Sequence, residues 1–211
     1  MMLFRTILTI VSVLCLLGGL GCLMYGIVSK RKGFRIAGLL VAVLFPVLFG
    51  LQFMLAVTQY SFDLSSVPAF EVTSSSLSSG VWDDEISNTS VGSNTSPELS
   101  WEEVPGASEY LVYMIDVDAN YWVHMKTTTT STSLPLGSVS SYVGPYPPSG
   151  THEYVVYVFA LREAKDGYVE TLDTIGDSAE YLASCANTFE NGDTGNVIAY
   201  GRLSGTFSHV D

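Results

Sequence analysis

The sequence predicts a mainly β domain, an antiparallel sandwich-like arrangement with few short helices, preceded by two transmembrane α-helices. Three observations carry that expectation. Two long runs without a charged residue, 6–28 and 36–57, open the chain. All 21 Asp and Glu lie beyond them, from Asp63 onward. The later half then sets stretches rich in β-branched and aromatic residues between turn formers.

Each apolar run exceeds the ~20 residues a helix needs to cross a hydrocarbon core of ~30 Å. A cleaved signal peptide is the rival reading of the first, with Arg5 as its basic region. Its apolar stretch is longer than the ~7–15 residues usual for signals, and a second run follows at once. Gly21-Cys22 faintly suggests a lipoprotein cleavage site, but Gly19 stands where a large aliphatic residue is wanted. Lys30, Arg31, Lys32 and Arg35 cluster between the runs, against Arg5 alone at the outer end. The positive-inside rule puts that loop in the cytoplasm, so both termini face outward. The expected location is the cell membrane, crossed twice, with the C-terminal domain extracytoplasmic.

Gly18, Cys22 and Gly26 in the first run, and Gly38, Ala42, Pro46 and Gly50 in the second, recur every fourth residue. Faces of small residues let helices pack closely, either within one hairpin or in a dimer. Pro46 is a candidate kink.

The remainder carries four basic residues, Lys126, Arg162, Lys165 and Arg202, against those 21 acids, a net of −17 before histidines. Nucleic acid is excluded as a partner on that balance, and docking onto an anionic membrane surface is disfavoured. Cys15 and Cys22 fall in the first run and Cys185 stands alone in the outer domain, so no disulfide forms within it.

Residues 74–96 are dense in Ser, Thr, Asn and Gly and read as loop with at most short strands. They include the glycosylation-type triplets Asn88-Thr-Ser and Asn94-Thr-Ser. Strands are predicted at 110–115, 121–126, 153–161 and 197–207, and one helix at 177–186 with Asp177 or Ser178 as N-cap. The chain divides into a hairpin at 1–58, a linker with the first strands at 59–95, and a domain core at 96–211.

Three stretches together resemble the phosphatidylethanolamine-binding family, in its bacterial and archaeal, Raf-kinase-inhibitor-like branch. The first is Ser96-Pro97-Glu98-Leu99-Ser100-Trp101 followed by Val104-Pro105-Gly106. The second is Asp116-Val117-Asp118-Ala119-Asn120 followed by Trp122-Val123-His124. The third is Gly144-Pro145-Tyr146-Pro147-Pro148 followed by His152-Glu153-Tyr154. The resemblance covers about 62–208 and implies the family's β fold. Val117 and Asn120 replace the two prolines of the family's aspartate motif, and Glu153 replaces an arginine, which removes a cation from beside the site.

The resemblance implies that Asp116, Asp118, His124, Gly144, Pro145, Pro147, Pro148, His152 and Tyr154 converge on one ligand-binding pocket. Their chemistry is compatible with that. Imidazole and phenol groups donate to phosphate or carboxylate oxygens, and an Asp can raise a neighbouring imidazole's pKa or accept from an ammonium. Pro145, Pro147 and Pro148 fix their own φ and keep the preceding residues extended, which stiffens a wall. The same groups could instead satisfy one another at a sheet edge.

Asp116-x-Asp118-x-Asn120 imitates the start of a calcium loop, but Tyr121 occupies the glycine position and Thr127 that of the bidentate glutamate. No close metal-ligand spacing is present, and no cofactor is implied. Nucleophile-elbow, phosphate-loop and paired-cysteine motifs are missing. His209, near the C-terminal end, is expected to be frayed and inert. The expected function is a binding module for a small phosphate- or carboxylate-bearing ligand or a lipid head group. The alternatives are an inhibitor of a protein partner, such as an exported protease, and a weak hydrolase using both histidines.

Overall fold

The computed structural model describes residues 2–59 and 62–210 and divides into two compact units, Met1–Ser61 and Phe62–Asp211.

In the first unit, α1 (Met2–Val28) and α2 (Lys32–Gln59) are joined by a tight turn in which Lys30 takes a positive φ of 56°. Both contain stretches long and apolar enough to cross a membrane, Val11–Val28 and Lys32–Gly50. The helices meet where side chains vanish. A Cβ on Gly38 would lie 2.5 Å from the Leu23 nitrogen and 2.7 Å from the Gly19 carbonyl, and one on Gly26 would lie 2.6 Å from the Arg35 nitrogen. Ser12, Gly19 and Gly26 are buried seven residues apart, whereas Gly18 and Gly50 face open space. The buried small residues of α1 are therefore spaced as a heptad; of the two fourfold rows, Gly26 and Gly38 lie at the contact and Gly18 and Gly50 do not. A seven-residue repeat follows a helix that wraps its partner, as a four-residue row does not. Arg35 Nε donates to the Gly26 carbonyl (2.9 Å) and closes the turn. Helix α2 continues through Pro46.

The second unit is built on a seven-stranded sheet. Its long antiparallel strands run in the order β10 (Val197–Ser208), β9 (Thr151–Leu161), β6 (Glu109–Asp116) and β7 (Trp122–Thr129), with β7 last in the order. The short β1 (Ala69–Phe70) and β4 (Val81–Trp82) join β10 in parallel, an exception to the antiparallel expectation, and β3 (Leu77–Ser78) extends the edge beyond β4. A second, three-stranded sheet contains β2 (Val72–Thr73), β5 (Leu99–Trp101) and β8 (Ser133–Leu134).

Strand alternation sends Tyr110, Val112 and Met114 into the core shared with the small sheet. Leu111, Tyr113 and Ile115 enter a second core under α3 (Ala179–Ala186). Because both faces of β6 and β9 are covered, their sequences are nearly continuous apolar runs rather than alternating ones. Helix α3 begins at Ser178, whose Oγ accepts from the Tyr181 amide (3.3 Å), in agreement with one of the two predicted caps.

Strand β7 starts one residue later than predicted because Asn120 and Tyr121 both have positive φ, 53° and 58°. Two successive left-handed residues make the tight turn that joins β6 to β7, closed by Trp122 N–H to the Ala119 carbonyl (3.2 Å).

Candidate binding site

The site forms where the ends of β6, the start of β7 and the start of β9 come together. Asp116 is the last residue of β6 and sits opposite Trp122 on β7 and Tyr154 on β9. It is buried, and its carboxylate is organised by three donors. Oδ1 accepts from the Asp118 and Ala119 amides (2.9 and 3.0 Å), a local turn typical of Asp at a strand end, and Oδ2 accepts from His152 Nδ1 (2.7 Å). Asp118 takes a different role: its Oδ2 accepts the Glu153 amide (2.7 Å) and fastens the loop to β9.

His124, buried on β7, places Nδ1 at 2.6 Å from the Val143 carbonyl. A carbonyl only accepts, so in the neutral ring Nδ1 carries the proton and Nε2 is left as an acceptor. Burial is the largest influence and holds the His124 pKa below the ordinary imidazole value; the Val143 carbonyl and the Asp116 carboxylate oppose it. The His124 ring meets Tyr154 edge to face with centroids 5.1 Å apart, and the His152 ring lies nearly parallel to Tyr154 at 6.4 Å.

Tyr154 is fully buried and its hydroxyl makes no hydrogen bond of acceptable geometry. Asp116 and the Tyr146 backbone are nonetheless close enough to act on it. Burial first, and Asp116 second, push its ionisation far above the ordinary phenol range, so it stays protonated.

These groups line a cavity of about 250 Å³. Of the nine residues named from the sequence, Asp116, His124, Gly144, Pro148 and Tyr154 contribute to its wall. His152 and Asp118 stand behind that wall and orient it. Pro145 and Pro147 act through their carbonyls: Pro145 accepts from the Asn88 amide (3.0 Å), and Pro147 lies 2.8 Å from His209 Nδ1. His209 also donates its backbone N–H to Gly150 (2.7 Å), so it braces the proline turn and is neither frayed nor idle.

Six lining residues were not among the site residues named from the sequence: Asn88, Ala119, Trp122, Val143, Tyr146 and Asp173. Asn88 arrives from the loop 74–96. Asp173 arrives from the long connection after β9, whose Asp173 N–H and Thr174 carbonyl pair with the Val123 backbone (2.8 and 3.0 Å). Its carboxylate accepts from Trp122 Nε1 (3.1 Å). Glu153 points elsewhere: it pairs with Arg202 (2.9 Å) and accepts from Ser204, so no charge from this position reaches the cavity. Among the described residues, no Lys or Arg lines the cavity, and no group of three or more His, Cys, Asp or Glu is arranged to hold a metal. A wider hollow beside Glu163, Glu190 and Asp193 is open to solvent and gathers no buried polar group.

A sequence profile of the phosphatidylethanolamine-binding proteins matches residues 73–208. The chain belongs to the phosphatidylethanolamine-binding protein family. It is 35% identical, over a 99-residue alignment, to a UPF0098 protein of Methanothermobacter thermautotrophicus; the match covers 36% of this chain and 66% of that relative. Among solved structures, YbcL of E. coli, described as a member of the mammalian PEBP family, superposes with a TM-score of 0.50 at 23% identity. That match covers 67% of this chain and 99% of YbcL. A PEBP homologue of Chlamydia trachomatis, CT736, superposes with a TM-score of 0.49 at 24% identity, with the same coverage. The likeness to YbcL shows that this chain has the PEBP fold. The family match leaves the two N-terminal helices outside its bounds.

Proposed function

We propose that this chain is a membrane-anchored binding protein. The two apolar helices hold it in the cell membrane, the acidic domain lies on the extracytoplasmic side, and the cavity takes a small ligand or the polar head group of a lipid. The observation that carries the binding reading is the cavity of about 250 Å³ at the strand ends, into whose wall the buried Asp116, His124 and Tyr154 are gathered. His124 Nε2 and the Asn88 amide offer further polar contacts in the same wall.

Binding is favoured over hydrolysis because, among the described residues lining the cavity, there is no Ser, Thr, Cys or Lys, and Asp116 is held by three N–H donors. The orientation rests on the four cations clustered at 30–35 between the apolar helices and on the acidic composition of everything after them.

The test is a titration of the unit Phe62–Asp211 with phosphorylethanolamine, following the ring resonances of His124 and His152. Saturable shifts of both rings, lost in His152→Ala, are expected. Resonances unmoved at millimolar ligand would sink the reading.

A further inference from the structure

We infer that the triplet Asn88-Thr89-Ser90 is a site of N-linked glycosylation and that Asn94-Thr95-Ser96 is not. The inference rests on the extracytoplasmic placement proposed above and adds to it a covalent modification of one loop. Both triplets fit the Asn-x-Ser/Thr acceptor pattern, so the pattern alone does not separate them. The fold does.

In the first triplet Asn88 and Ser90 are both exposed, and among the described residues neither side chain has a hydrogen-bond partner. Asn88 is held through its backbone, whose N–H donates to the Pro145 carbonyl (3.0 Å). The Gly92 N–H donates to the Thr89 carbonyl (3.2 Å), which puts Ser90 and the exposed Val91 at the tip of a turn. The second triplet is built into the domain. Asn94 Oδ1 accepts the Gly144 N–H (2.7 Å), and the Asn94 and Thr95 amides donate to the Ser87 and Glu85 carbonyls (2.9 and 3.3 Å). Ser96 is buried and its Oγ accepts the Val139 N–H (3.1 Å). A transferase must take hold of the Asn amide and of the hydroxyl two residues on. At Asn88 and Ser90 it breaks no side-chain bond to do so, whereas at Asn94 and Ser96 it must break two and strip a buried hydroxyl from its partner.

The donor is a sugar carried on a polyprenyl phosphate lipid. Asn88 Nδ2 forms a bond to the anomeric carbon of the sugar, and the bond from that carbon to the phosphate oxygen breaks. The lipid phosphate leaves with the electron pair, and Nδ2 gives up one proton to a base of the transferase. The amide keeps its oxygen and one N–H, so its polar character at the cavity is not lost. Because Asn88 both lines the cavity and is exposed, the sugar stands at the cavity rim and adds a bulky, hydrated group there.

The experiment uses the full chain extracted from the membranes of its own host. Cleavage after glutamate releases the peptide 86–98, which holds both Asn88 and Asn94, and fragmentation in the mass spectrometer assigns any added mass to one of them. A saccharide mass on Asn88 and none on Asn94 is expected. Ser90→Ala leaves Asn88 in place and removes the hydroxyl that the acceptor pattern requires; it should abolish the added mass with an unchanged melting temperature. An added mass that persists in Ser90→Ala, or one found on Asn94 and not on Asn88, overturns the inference. A bare peptide from a chain whose domain is cut by external protease also overturns it and leaves the proposed orientation standing. A bare peptide from a chain whose domain is shielded from that protease overturns both together.

Discussion

Tyr154 holds a fully buried hydroxyl that makes no hydrogen bond of acceptable geometry, next to an Asp116 carboxylate that is already engaged by three donors. Removing that hydroxyl leaves no other group unsatisfied, so Tyr154→Phe should leave stability unchanged or raise it by up to about 1 kcal/mol, while weakening ligand binding. Urea unfolding and the phosphorylethanolamine titration, run on the same variant, measure the two effects. His124 gives a second residue-level prediction. Its folded pKa lies below the unfolded value of about 6.5, so the unfolded state binds the proton more readily and stability rises with pH. The domain should lose stability as pH falls below about 6.5, and the loss should stop once pH passes below the depressed folded value. Melting temperatures from pH 7.5 to 4.5, compared with those of His124→Gln, isolate this contribution. His124 and Tyr154 were legible in the sequence because they sit in recognisable motifs. Asp173 was not, because nothing local marks a loop aspartate whose partner, Trp122, is far away in sequence.

The elements show why the turn 144–148 is rigid. A Cβ on Gly144 would fall 2.1 Å from the Ile86 carbonyl and 2.8 Å from the Asn88 nitrogen, both backbone atoms with no freedom to retreat. Gly144 N–H also donates to Asn94 Oδ1 (2.7 Å), so the Ser- and Asn-rich loop and the proline turn are fitted to each other. Gly144→Ala should cost about 2 kcal/mol or more and displace Asn88 from the cavity wall; chemical denaturation and ligand titration check both effects. The same packing explains the limits of strand reading. The four long strands were legible because β-branched and aromatic runs fit a covered sheet, and helix α3 because Ser178 and the apolar spacing mark it. The parallel pairing of β1 and β4 with β10 was not legible. It depends on glycines: Cβ atoms on Gly201 and Gly205 would strike Val72 Cγ2 (2.4 Å) and Leu77 Cδ1 (2.3 Å), so their absence lets other parts of the chain approach the strand.

At the scale of the whole molecule the chain joins two materials, an apolar helical hairpin whose only charges are basic and a strongly acidic β domain. On intact cells or spheroplasts, an external protease should remove the domain beyond residue 61 and spare the loop at 29–31; a domain resistant until the membrane is opened would reverse the proposed orientation. By itself the sequence determined the mainly β class, the presence of two apolar helices, the separation of charge between the two parts and the family. Each of these depends on composition, local periodicity or short motifs, which a chain displays before it folds. Tertiary structure alone decided which small residues bring the helices together, since Gly19 and Gly18 differ only in the direction they face. It also decided the make-up of the cavity. Asn88, Asp173 and His209 reach the site through backbone pairings between distant segments, and the lack of Lys or Arg in its wall depends on where Glu153 and Arg202 point. Such placements follow from register and packing across the whole sheet, which no local stretch of residues specifies.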